Sequence, residues 1–191
     1  VLLIDGDLRK PDIAKLLNIE TGDNALRKVL LGYATLDESV WPMPAVGLDV
    51  LISDSNDAFD AFELLTRPQT AQRLKNIASQ YEHVIIDTPP VLAVPDAIIW
   101  AKMADAVVLA SYAGQTQGPD VQRAIERLTD AGVKLIGTVL NNVQFTSSYN
   151  EYGYGYYGTS QGSYTRRPPN RRAIMMPVKQ EDSAEVTSAA S

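Results

Sequence analysis

The stretch Val1-Leu2-Leu3-Ile4-Asp5-Gly6-Asp7-Leu8-Arg9-Lys10-Pro11 decides the fold. Four apolar residues run without a break and meet two carboxylates separated by one glycine. An unbroken apolar run of this kind predicts a strand buried on both faces, as in a parallel sheet. Parallel sheets of α/β domains carry their ligands at the carboxyl ends of the strands, where Asp5 and Asp7 fall. If the chain stays extended through Gly6, side chains two apart point the same way, about 6.6 Å along the strand. Carboxylates so placed repel each other unless a cation or a proton intervenes. The same residues also suit a plainer role, a strand-end aspartate followed by a helix-capping one.

Working outward, His83-Val84-Ile85-Ile86-Asp87-Thr88-Pro89-Pro90 repeats the design: an apolar strand, one aspartate, then a stop at two prolines. Three carboxylates at the ends of two buried strands suggest a hard cation with oxygen ligands. Magnesium fits best, since it takes one or two carboxylates plus waters and substrate phosphates. Arg9 suits contact with a phosphate or a neighbouring subunit, or a solvated surface position. Thr88 suits a bond to water near a terminal phosphate, or the start of a turn. His83, the single histidine, precedes the strand and reads as a surface residue. With no Cys and one His, a metal site built on those ligands is excluded.

The rest of the chain alternates strands and helices. Pro11 and Asp12 suit the start of a helix with Ile13, Leu16 and Leu17 on one face. Asp23 suits the cap of a second helix carrying Leu26, Val29 and Leu30, with Gly32 past its end. Residues 48–52 read as a strand, followed by a polar stretch leading into Phe59, Phe62, Leu64 and Leu65. Leu74, Ile77, Ala78 and Tyr81 follow helical spacing over residues 67–81. Pro95 and Asp96 open a further helix through Trp100. Residues 106–110 form a strand, Pro119 and Asp120 open a helix with Val121, Ala124, Ile125 and Leu128 on one face, and residues 135–140 form the last strand, ending at Asn141. This order implies βαβ units and a parallel sheet with helices on both faces.

Beyond residue 145 the composition changes. Tyr149, Tyr152, Tyr154, Tyr156, Tyr157 and Tyr164 are six of the nine tyrosines and lie among Gly, Ser and Asn. Residues 165–191 are polar. Such a segment buries too little apolar surface to fold alone, so residues 146–191 are expected to form a flexible, disordered tail beyond a domain at 1–145. The domain holds 12 basic and 19 acidic residues and the tail 5 and 4. An acidic domain argues against nucleic acid as a partner. No apolar run reaches the length of a membrane span, and no signal peptide is visible.

Together these motifs resemble the bacterial tyrosine kinases of capsular and exopolysaccharide synthesis. Residues 1–11 are similar to the family's second aspartate motif (Walker A′), residues 84–90 to its Walker B motif, and the tyrosine cluster to its C-terminal tail. The resemblance runs from residue 1 to about 164 and implies a P-loop NTPase-like sheet of the deviant Walker type. By that resemblance, ATP and Mg²⁺ are the cofactors, Asp7 and Asp87 hold the metal, and Asp5 is the base for the tyrosine hydroxyl. Asn141 lies where related ATPases read the adenine edge, though an asparagine capping its own turn suits the position as well. The six tail tyrosines are the implied autophosphorylation sites. The implied partners are further copies of the chain, a transmembrane chain-length regulator and a phosphotyrosine phosphatase, at the cytoplasmic face of the bacterial inner membrane. Glu63-Leu64-Leu65 matches the family, but the prolines usual in the loop before it are absent.

One motif is missing. A phosphate loop needs G-x-x-x-x-G-K-[ST], and none of the 12 glycines is followed by lysine. With Val1 already inside a strand, the expectation is that the loop and a first, central strand lie upstream, and that these 191 residues alone bind ATP poorly. Gly153-Tyr154-Gly155-Tyr156-Tyr157-Gly158 matches G-x-G-x-x-G but lies outside any βαβ unit, so it is no dinucleotide site. Two other readings stand beside the kinase: a partition- or division-site type ATPase switch without kinase activity, and a catalytically silent polysaccharide co-polymerase domain. The first would favour a C-terminal amphipathic helix, which Pro177 interrupts.

Overall fold

The computed structural model describes residues 1–20, 25–53, 60–143 and 174–176. At its centre β1 (Leu2–Asp5) lies between two parallel partners, β3 (Leu48–Leu51) and β4 (Val84–Asp87). A short strand, β2 (Trp41–Met43), runs antiparallel along the outer side of β3. The sequence reading passes over β2, because three residues with a central proline carry no strand period. Proline is confined to edge strands, and β2 is an edge, the sheet order being β2-β3-β1-β4.

Strand alternation divides the apolar residues between two faces. Leu2, Ile4 and Leu51 join one core with α2 (Ala25–Leu31), α3 (Ala61–Thr66), α4 (Pro68–Ala78) and Trp100 of α5 (Asp96–Met103). Leu3, Val50 and Ile52 join a smaller core with Ile13 of α1 (Ile13–Leu16) and with Ile19. Helices therefore cover both faces of β1. Gly32 closes α2 at φ 81°, its N–H bonded to the Val29 carbonyl, a left-handed cap that favours glycine. Asp60 caps α3 by accepting from the Phe62 and Glu63 N–H groups.

Several helical faces differ from their sequence reading. Helix α1 is a single turn, so Leu16 is 80% exposed and Ile19, beyond the turn, is buried in its place. Phe62 lies on the outer side of α3 while Leu64 and Leu65 are buried. Ala78 is exposed at the end of α4. Tyr81 falls beyond that helix, and its hydroxyl donates to Asp49 Oδ2 at 2.9 Å. Asp23 and Phe59 lie outside the described residues.

A second sheet contains β5 (Val107–Tyr112) and β6 (Leu135–Asn141), parallel and linked through α6 (Gly118–Asp130). Ala124 and Leu128 of α6 are buried, as their spacing predicts. From the segment read as wholly flexible, β7 (Ile174–Met176) pairs antiparallel with β6. Among the described residues β4 pairs only with β1, and β5 only with β6. The parallel order is thus broken between β4 and β5, with no described strand to join them. No helix among the described residues is long and apolar enough to cross a membrane.

Candidate active site

The site begins with the register of β1 on β4, in which Asp5 is the partner of Asp87. Neighbouring strands lie about 4.8 Å apart, and register partners point to the same face. The two motifs of the sequence therefore end at one height, side by side.

Their environments differ. Asp5 is fully buried. Its Oδ2 accepts from the Ile13 N–H at 3.2 Å, while Oδ1 has no hydrogen-bond partner. Burial pushes its carboxyl up to about 6, and the nearby charges of Asp87 and Asp7 add to that rise, while the Ile13 N–H opposes it. Asp87 is exposed at the strand end. Its carboxyl is also raised, first by loss of water around it, then by the charges of Asp7 and Asp12.

Asp7 is not a continuation of the strand. The chain turns after Asp5, with the Leu8 N–H on the Gly6 carbonyl, and Asp7 Oδ1 accepts from the N–H groups of Arg9 and Lys10 at 3.0 and 2.9 Å. This Asx-type turn is the local chemistry that aspartate favours, and it replaces the extended path the alternation assumed. Among the described residues no three acidic or histidine side chains form a ready-made metal cage. Neighbouring carboxylate charge adds to the rise at Asp5 and at Asp87, but the three side chains do not form one cage.

The turn is held by groups outside both motifs. The Gly6 N–H donates to the Asp87 carbonyl at 2.7 Å, and Trp100 Nε1 donates to the Gly6 carbonyl at 2.9 Å. A Cβ at Gly6 would lie 2.6 Å from the Asp87 carbonyl oxygen and 2.8 Å from Ile86 Cγ2, so only glycine fits. Ser53, buried at the end of β3, donates to the Asp5 carbonyl at 2.7 Å. Arg9 forks onto Asp96, with Nε to Oδ2 at 2.6 Å and Nη2 to Oδ1 at 3.1 Å. Arg9 is therefore engaged by a buried carboxylate rather than a bare solvated charge. Thr88 is exposed beside Asp87. Asn141 ends β6 in the other sheet, and its Oδ1 accepts from the Asn142 N–H at 2.8 Å, the self-capping its position allows. His83 is a surface residue, as read. The six tail tyrosines lie outside the described residues.

Sequence reading passes over Ser53 and the partner roles of Asp96 and Trp100. Asp96 and Trp100 read as an ordinary helix start and an apolar helix position. A helix-starting aspartate four residues before a tryptophan gives no sign by itself that both face a loop 90 residues earlier.

No family model matches the chain. It is 38% identical over 149 residues to the tyrosine-protein kinase ptk of Acinetobacter johnsonii, covering 78% of this chain and 20% of that protein. It is 30% identical to the putative tyrosine-protein kinase CapB of Staphylococcus aureus, covering 82% of this chain and 67% of that protein. Among solved structures, the VpsO kinase domain superposes with a TM-score of 0.69 at 33% identity, covering 75% of this chain and 70% of that one. The chain belongs to the bacterial tyrosine-protein kinases. Of the two relatives it spans about a fifth of one and two thirds of the other. The cell division ATPase MinD of Pyrococcus furiosus, at 19% identity and a TM-score of 0.58, shares the fold alone. A bacterial tyrosine-protein kinase fold is thus built here around β1, β3 and β4, with the Asp5–Asp87 pair at the strand ends.

Proposed function

We propose that this chain supplies the carboxylate side of an ATP-dependent protein-tyrosine kinase that phosphorylates its own tyrosine-rich tail between subunits. The observation that carries the reading is the Asp5–Asp87 register pair with the buried, unpartnered Asp5 Oδ1. A buried carboxylate oxygen without a donor is costly and calls for a cation or a proton. Asp5 fits the second, as a group that takes up a proton, while Asp87 and Asp7 beside it suit Mg²⁺, which takes one or two carboxylates together with water and phosphate oxygens. Asp87 and Asp7 would hold it, and it would neutralise charge on the transferring phosphate.

The remaining work falls to the chain's own groups. Phosphoryl transfer depends mostly on positioning and charge stabilisation. Asp5 takes the phenolic proton: burial raises its carboxyl above that of an ordinary aspartate, the direction that makes it a better base. Its free Oδ1 is the acceptor. Thr88 and Asn141 serve the nucleotide, at the γ-phosphate end and the adenine end respectively, and Arg9 borders the phosphate side. One observation favours a second arrangement. Asp5 is closed to solvent while Asp7 is half-buried, so Asp7 is the easier carboxylate for a tyrosine to reach, with Asp5 then beside Asp87 on the cation.

This chemistry requires a phosphate loop, a motif these residues do not contain, and a further strand carrying one would fit between β4 and β5. In the complete protein, Tyr149, Tyr152, Tyr154, Tyr156, Tyr157 and Tyr164 enter a neighbouring subunit's site. The protein acts in capsular or exopolysaccharide polymerisation and export, at the cytoplasmic face of the membrane, with a transmembrane chain-length regulator and a phosphatase that resets the tail.

The test incubates the complete kinase with Mg-ATP and maps phosphosites by mass spectrometry. Phosphate on the tyrosine cluster, lost when all six become Phe, is expected; an active enzyme with an unlabelled cluster overturns the tail assignment. Excess Mg²⁺ should partly restore a variant lacking a cation ligand and leave a variant lacking the base inactive. Comparing Asp5→Asn with Asp7→Asn therefore separates the two arrangements.

A further inference from the structure

We propose that Asp96 and Trp100, outside both aspartate motifs, are positioning residues that fix the turn at residues 6–10 and so set where Asp7 stands relative to Asp87. The proposal rests on the kinase reading above and extends it to α5.

Three contacts tie the turn to the element that carries Asp87 and to the helix that follows it. The Gly6 N–H bonds the Asp87 carbonyl, Trp100 Nε1 bonds the Gly6 carbonyl, and Asp96 takes the Arg9 guanidinium in a two-point fork. Asp96 and Trp100 stand four residues apart on α5, one above the other on the same face. Both are 1% exposed. A carboxylate so deeply buried is costly unless paired and hydrogen-bonded. Apolar residues of similar volume often serve a fold as well as a buried ion pair does. Stability alone is therefore a weak reason for Asp96, whereas a fork restricts direction as well as distance. Arg9 is two residues from Asp7, and Asp7 Oδ1 accepts from the N–H of Arg9 itself. Holding the guanidinium thus holds the backbone that orients the Asp7 carboxylate. Trp100 adds a second point at Gly6, where no side chain could intervene.

In a reaction governed by placement, an error of about 1 Å costs on the order of 10²-fold in rate. The experiment uses the complete kinase, phosphate loop included, with active sites titrated so that rates refer to folded molecules. Asp96→Asn should lower kcat by about 30- to 100-fold while KM for Mg-ATP stays within about threefold. Trp100→Phe keeps a ring in the core and removes only the N–H donor; it should lower kcat by about five- to tenfold, again with KM little changed. Arg9→Ala and Asp96→Ala should be non-additive, the double variant no worse than the poorer single one. Arg9→Lys should restore only part of the rate, since an ammonium cannot fork.

Unchanged kcat per titrated site in Asp96→Asn and Trp100→Phe, whatever their melting temperatures, overturns the proposal and leaves both residues structural. A raised KM in Arg9→Ala with a silent Asp96→Asn also overturns it, making Arg9 a phosphate contact instead. If Asp96→Asn does not fold, Trp100→Phe decides. Asp87→Asn is the control for the underlying reading. Full activity there sinks the carboxylate site itself, whereas an inactive Asp87→Asn beside a fully active Asp96→Asn sinks only the positioning role.

Discussion

Strands β1 and β4 are nearly the same sentence written twice, Leu-Leu-Ile-Asp and Val-Ile-Ile-Asp, and they lie in register residue for residue. Their surroundings are unlike. Leu2, Ile4 and Asp5 of β1 are fully buried, while Ile85 of β4 is 56% exposed and Asp87 is open to solvent. The difference is a matter of neighbours. β1 has a strand on each side and helices on both faces, whereas β4 has one described partner. An apolar run specifies a strand that needs cover; whether it is covered depends on the rest of the fold. The same contrast sets the two carboxylates apart, because full burial leaves Asp5 with an unpartnered oxygen and a raised carboxyl, while Asp87 stays exposed to water.

The largest effect expected from this contrast is on activity. In the complete kinase, Asp87→Asn should lower autophosphorylation by about 10³-fold or more, roughly 4 kcal/mol of transition-state stabilisation. Radiolabel incorporation from Mg-ATP measures it. Activity within tenfold of the parent would mean that the exposed member of the pair is dispensable.

Next comes the core beneath the pair. Ile4→Ala removes a fully buried side chain from the larger core and should cost about 2–5 kcal/mol, measured by urea denaturation. A cost below about 1 kcal/mol would show that β1 is not the packed centre of the sheet.

The pH dependence of Asp5 should be somewhat smaller. Its folded value, about 6, lies above the ordinary 3.8, so the folded state holds the proton more tightly than the unfolded chain. This contribution is fully present below pH 3.8 and is lost as pH rises through 6. The shift corresponds to about 3 kcal/mol. Asp87 is raised as well and acts in the same sense. Asp5→Asn should therefore gain on the parent by up to about 3 kcal/mol between pH 4 and pH 7, read from denaturation midpoints at fixed ionic strength. Parallel pH profiles for the two proteins would contradict the buried, unpaired carboxylate.

The same contrast shows how far the sequence could be read. Apolar runs followed by aspartate placed β1 and β4 and their carboxylates, because such a run marks a parallel strand, but the burial it implies holds for β1 and not for β4. Helical spacing found the buried faces of α2 and α6. It misplaced Leu16 and Ala78, since periodicity assumes a helix longer than the one present. Strand β2 was illegible because its pairing, not its composition, makes it a strand. At the site, Asp7 needed the turn after Gly6 to be known before its direction could be. The partnership of Arg9 with Asp96 joins residues 87 apart, and neither residue alone carries a sign of the other. The family resemblance gave the motifs their names; the burial of Asp5 and the hold of Trp100 on Gly6 emerge only from packing.

The smallest effect is the most direct test of what covers β4. Ile85 is the register partner of Leu3, on the face of the smaller core, yet more than half of it meets water. Leu3 belongs to that core together with Ile13, Ile19, Val50 and Ile52, and Ile85 lies outside it. Ile85→Ser in these 191 residues should therefore change stability by less than about 1 kcal/mol, because a side chain that remains in water loses little transfer energy when shortened. The companion measurement places the same substitution in the complete kinase. If an upstream strand lies beside β4 and brings its own packing, Ile85 becomes a core residue there, and the cost should rise toward 2 kcal/mol or more. Equal small costs in both proteins would leave β4 a true edge and send the proposed phosphate-loop strand elsewhere. Equal large costs would mean that the face of β4 is already covered in the shorter chain, and the contrast with β1 would then be one of degree only.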